Sequence, residues 1–169
     1  METTSTRPSS PFISRLWQPR PAGLLELWRH EGPRTLRVFG SFTDADLAFR
    51  PRGGGRSVAE LLQHVADSYL LTVHWLSDER PAGPRKTAPP STVGEAVTLS
   101  ASAQAALFAA LAEVPDAAFE SEIAPFGVAE SRAVFALGML KHEIHHRGEL
   151  FSLARVCGHA PEGLYVPVV

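Results

Sequence analysis

The sequence predicts an all-α fold, a four-helix bundle, on three observations. Apolar residues recur with steps of three and four along four long stretches. Two of these open with a capping-box pattern, Ser57-x-x-Glu60 and Thr92-x-x-Glu95. No stretch shows sustained apolar–polar alternation flanked by hairpin turns. Four amphipathic helices bury their stripes against one another around one core, and a chain of 169 residues is long enough to build it.

Residues 1–20 read as a flexible N-terminal arm, polar to about Ser10, in which Phe12, Ile13, Leu16 and Trp17 are available to pack on the body. Residues 21–169 are then a single bundle domain. The first helix starts near Ala22 and carries Leu24, Leu27 and Trp28 on one face, with Leu36 and Phe39 later. Gly32-Pro33 is expected to kink or restart it, because proline removes an N–H and crowds the preceding turn. A link from Ser41 to Gly55 holds a short turn at Asp44–Ala48. The second helix begins at the Ser57 cap and reaches about Ser77. Leu61, His64, Ser68, Leu71 and Trp75 step by three and four along it and read as its core seam.

A proline-rich loop, from Asp78 to about Ser91, leads to the third helix, Val93 to about Glu113, which Pro115 closes. A mixed loop covers Asp116 to about Ala129. The fourth helix runs from about Glu130 to Cys157, with Gly158 as a left-handed cap and Pro161 beyond it. The apolar tail Leu164–Val169 is expected to lie against the bundle.

Composition removes several functional classes. The apolar fraction is 44% and the formal net charge is −2, so there is no basic excess to hold a nucleic-acid backbone. No run approaches the ~18 consecutive apolar residues of a membrane span. Met1–Ser10 lacks the apolar core of a signal peptide. The lone Cys157 makes no internal disulfide. A cytoplasmic protein without nucleic-acid or membrane partners is the expectation.

The chemistry concentrates in the fourth helix, where His142, His145 and His146 fall within five residues. At about 100° per residue, His142 and His146 project about 40° apart, one turn distant. His146 shares its side with Phe135, Met139 and Leu153, whereas His145 turns toward Gly138 and Ser152. Two imidazoles stacked at i and i+4 can grip one ion, and His64 on the second helix is a candidate third ligand. A hydrogen-bonded core histidine is the alternative role for His64. Three protein ligands would leave a coordination position open, the mark of a catalytic rather than a structural site.

His142-Glu143-x-x-His146 also satisfies the zinc-peptidase pattern, with Glu143 as general base. The extended pattern fails, because Gly148 comes one residue early and Ser152 stands at the third-ligand position. A bundle also offers no sheet edge to hold a peptide.

Ser57-Val-Ala-Glu-Leu-Leu-Gln-His64, followed by His142-Glu-Ile-His-His146-Arg-Gly-Glu-Leu150 and Gly158-His-Ala-Pro161, resembles the DinB/YfiT-like superfamily over about Ala22 to Val169. The family's H-x-x-x-H-R-G-[QE] pattern is present, with Glu149 where Gln is common. The family is described as metal-dependent hydrolases and includes thiol-dependent transferases. The resemblance implies a four-helix bundle, often a homodimer, with a divalent metal (Zn, Ni or Fe) on His64, His142 and His146. It also implies a small-molecule substrate and, in the transferases, a low-molecular-weight thiol. Glu143 and His145 are the candidate proton shuttles. The alternative is a stress-response or binding protein with a structural or vestigial metal site.

Overall fold

The computed structural model describes residues 19–77 and 86–163. The expectations for the apolar residues of the N-terminal arm and for the C-terminal tail fall outside these residues. Four long helices, α1 (Pro21–Phe39), α2 (Val58–Leu76), α3 (Val93–Glu113) and α5 (Arg132–Val156), make the bundle. Between α3 and α5 lie a one-turn helix α4 (Asp116–Phe119) and an antiparallel pair, β1 (Glu122–Ile123) and β2 (Glu130–Ser131). These strands have two residues each, too short to leave an alternation in the sequence.

The helix boundaries follow from local chemistry. The Ser57 hydroxyl accepts from the Glu60 N–H at 3.2 Å, and the Glu60 carboxylate accepts from the Ser57 N–H at 2.8 Å. Thr92 caps α3 by accepting from the Glu95 N–H at 3.0 Å, but the Glu95 carboxylate reaches back to the Ser91 N–H and hydroxyl. Ser131 caps α5, and Gly158 ends it at φ 92°.

Each long helix packs chiefly on two others, in the cyclic order α1, α3, α2, α5. Helix α5 therefore lies between α1 and α2, and both of these shape whatever it presents. The buried stripe of α2 is Val58, Leu62, Val65, Tyr69, Thr72 and Leu76, flanked by Leu61 and Ser68. The seam expected from the sequence lies on one flank of this stripe, where His64, Leu71 and Trp75 are only half-buried. The 3–4 spacing is the same for both rows, so periodicity alone does not choose between them. Helix α3 has the length and apolarity of a membrane span. Here Ala96, Ala103, Leu107 and Leu111 are buried in a bundle instead.

Gly32-Pro33 does not restart α1, which continues through Pro33 to Phe39. Trp28 anchors the helix before the pair, and Thr35, Val38 and Phe39 anchor it after, all buried. The Gln104 side-chain amide also donates to the Gly32 carbonyl at 3.1 Å and to the Tyr69 hydroxyl at 3.0 Å. A Cβ on residue 32 would come within 2.7 Å of the Gln104 Oε1. Tertiary packing thus overrides the local penalty of proline.

Gly32→Ala should destabilise the fold by about 1–3 kcal/mol, although alanine is the better helix former. In a Gln104→Ala background the same change should become neutral or stabilising. Chemical denaturation of the four proteins of this double-mutant cycle measures the coupling; additive effects would contradict the packing described.

Candidate metal centre

The orientation of α5 is set by two charged residues at the centre of its core face. Glu143 is fully buried and Arg147 nearly so, one turn apart among Ala136, Leu150 and Ala154. The Glu143 carboxylate accepts from Trp28 Nε1 at 2.7 Å and from the Thr35 hydroxyl at 2.6 Å. Arg147 pairs with the Glu31 carboxylate and donates to the Glu31 carbonyl at 3.1 Å. Burial pushes the Glu143 carboxyl up from its ordinary value, opposed by hydrogen bonds from Thr35, Tyr69 and Trp28 and by the charge of Arg147. Glu143 and Arg147 are thus both tied to α1.

With that face fixed, His142 and His146 turn toward α2 and meet His64. The His64 and His142 Nε2 atoms lie 2.9 Å apart, and those of His142 and His146 3.1 Å. Ring centroids are 4.4–4.8 Å apart and the ring planes cross at 69–85°. The three expected ligand residues therefore come together, each with a ring nitrogen within 4.8 Å of the other two.

This donor set suits a cation better than it suits itself. If Nε2 of His142 accepts from both neighbours, its proton must sit on Nδ1, which is buried without a partner among the described residues. If Nε2 carries the proton, it can serve one neighbour well and leaves the remaining imidazoles to share the space. A divalent cation takes all three lone pairs. Nitrogens about 2.0–2.1 Å from one ion are about 3.0 Å apart in octahedral and 3.3 Å in tetrahedral arrangement, close to the 2.9 and 3.1 Å that His142 makes with its two neighbours.

Burial also favours the neutral form of His64 and His142. The His64 imidazole is pushed down to about 4, by desolvation first and then by the Arg56 charge and His146. His142 is likewise lowered to about 4, by desolvation and then by His146 and His64. Neutral imidazole is the form that binds metal.

Glu149, at the position where the family pattern commonly has Gln, contacts one of the three histidines. Its carboxylate lies 2.9 Å from His146 Nδ1. That contact holds the proton on Nδ1 and leaves the Nε2 lone pair facing the centre. The i+3 spacing from a candidate ligand was its signal in the sequence. His145 is exposed, with its ring 4.9 Å from that of His146. It forms a second, outer cluster with His146 and Glu149. The expectation that Glu143 shuttles protons meets a different placement: both of its oxygens are engaged in the core, where the residue anchors α5 to α1. Of the other histidines, His30 is exposed beside Glu31, His74 packs edge-on against Trp75, and His159 bonds Asp46 at 2.7 Å.

A model of the DinB superfamily matches residues 27–150, and the chain belongs to that superfamily. It is similar in structure to a DinB-like protein from Bacillus cereus ATCC 10987, with a TM-score of 0.75 and 20% identity, covering 85% of this chain and 97% of that one. A DinB-like protein from Bacillus subtilis gives a TM-score of 0.72 at 20% identity, covering 86% and 99%. Comparison with curated protein sequences finds no match.

The depressed imidazoles fix a pH dependence for the chelator-treated protein. An unfolded histidine titrates near 6.5, and folded His64 and His142 near 4. Between these values the unfolded chain binds more protons than the folded one. Stability present above pH 6.5 should therefore be lost progressively as pH falls toward 4. Denaturation midpoints across that window should fall less steeply in His64→Gln; equal slopes would contradict the burial argument.

Proposed function

We propose that this DinB-superfamily protein is a metal-dependent enzyme whose His64, His142 and His146 hold one divalent ion, Zn²⁺, Ni²⁺ or Fe²⁺, opposite a small-molecule substrate. The convergence of three Nε2 atoms from two helices carries this reading. A cation so held supplies Lewis acidity, lowering the pKa of a nucleophile, water in a hydrolysis or a low-molecular-weight thiol in a transfer.

The chain's own residues provide the rest. His64 and His142 stay neutral because they are desolvated, so a metal meets little competition from protons near neutral pH. Glu149 holds the His146 ring with Nε2 inward. The α1–α5 polar contacts fix the rotation of the helix that carries two of the three ligands. Three protein ligands leave positions for exchangeable groups, which favours an enzyme over a closed structural site. The peptidase reading loses support, because Glu143, its would-be base, is committed to Trp28 and Thr35.

Purified protein should carry about one divalent ion per chain, and chelation should lower its melting temperature. His64→Ala, His142→Ala and His146→Ala should each abolish tight binding in isothermal titration. His145→Ala should cost no more than the roughly 10–100-fold of an indirect ligand effect. Protein that binds neither Zn²⁺ nor Ni²⁺, or loses binding only in His145→Ala, would contradict the assignment.

A further inference from the structure

A cleft of about 350 Å³ opens between the first half of α2 and the segment at Lys86–Pro89, with His64, one of the three histidines, in its lining. That volume is at the small end of the range for small-molecule sites, so it suits a compact ligand. Four charged side chains besides His64 line it, and they differ in how far they are already engaged.

The two carboxylates are satisfied within the protein. Glu60 accepts from the Ser57 N–H at 2.8 Å and pairs with Arg50 at 3.0 Å. Asp67 accepts from the Thr87 N–H at 3.0 Å and hydroxyl at 2.7 Å, and from Gln63 at 3.3 Å. These bonds fasten the Lys86–Thr87 segment to α2 and so build one wall of the cleft. The two cations, Arg56 and Lys86, make no hydrogen bond or ion pair among the described residues. The positive charge of Arg56 is felt at both His64 and His142. The cleft thus sets two uncommitted cationic groups beside a histidine of the metal centre, while its acids are occupied.

We propose that this cleft is an anion subsite, in which Arg56 and Lys86 hold the carboxylate or phosphate group of a small ligand whose other end reaches the centre at His64. The proposal rests on the metal-dependent reading above and adds to it a substrate class: small acidic molecules. A planar guanidinium pairs with either anion through two donors, and the ammonium adds a point charge.

The test titrates zinc-loaded protein with 3-mercaptopropionate and with its uncharged counterpart 2-mercaptoethanol. Chelator-treated protein is titrated in parallel with succinate and inorganic phosphate. Binding of 3-mercaptopropionate should be about fivefold or more tighter than that of 2-mercaptoethanol, an advantage that shrinks with added salt. Arg56→Gln and Lys86→Gln should each remove much of it, read as the ratio of the two affinities within each variant, so that any change in the centre common to both thiols cancels. Arg52→Gln, an exposed cation outside the cleft lining, should change nothing. In chelated protein, whichever of succinate or phosphate binds identifies the preferred anion, and that binding too should be lost in Arg56→Gln. Anion binding that survives chelation, in a protein whose metal adds nothing for thiols, supports the subsite while the metal reading fails. Thiols that bind the zinc-loaded protein equally well whatever their charge, or no anion binding anywhere, would overturn the subsite.

Discussion

The structure depends on a buried polar contact between α1 and α5. Glu143 and Arg147 occupy the middle of the α5 core face, where an apolar pair would be the ordinary choice. Trp28, Glu31 and Thr35 of α1 hold them, with Tyr69 of α2 beside Glu143. A buried charge left without partners costs several kcal/mol, about 3–5 when one member of a pair is removed. Rotating α5 by one residue, about 100°, would strand both. The contact is therefore weak as a source of net stability and strong as a selector of one helix orientation.

That orientation is what the histidines inherit. His142 and His146 lie beside Glu143 and Arg147 in sequence, so fixing the latter pair against α1 turns the former pair toward α2. His64 meets them because it stands on the flank of the α2 stripe rather than within it. A fully buried position would have been closed to ligands, and an exposed one would have kept an ordinary imidazole. Half-burial leaves the ring lowered to about 4 and still lining an open cleft. The rotation of two helices thus sets both the convergence of the donors and the protonation of His64 and His142.

Much of this was legible in the sequence. Ser57 and Thr92 start two helices and Gly158 ends the last, whereas the Ser131 cap of α5 shows only in the structure. The i, i+4 spacing of His142 and His146, with His64 on the second helix, anticipated the cluster. Less legible were features decided by neighbours distant in the chain. Gly32-Pro33 reads as a break until Gln104 is seen against it. Two rows of α2 share one periodicity, and packing chose the row beside the expected one. Glu143 in a metal-binding pattern reads as a base, and only the placement of Trp28 and Thr35 makes it an anchor. The cationic cleft joins residues of α2 to a loop, a proximity without any sequence period.

Helix α1 fixes α5 so that three imidazoles from two helices form one inward-facing centre. Two clusters share His146: the inner one with His64 and His142, and the outer one with His145 and Glu149. Anomalous diffraction from crystals of zinc-loaded protein separates them directly. One peak is expected, bonded to Nε2 of His64, His142 and His146 at about 2.0–2.1 Å from each. A peak held instead by His145, His146 and Glu149, with His64 uninvolved, would contradict it.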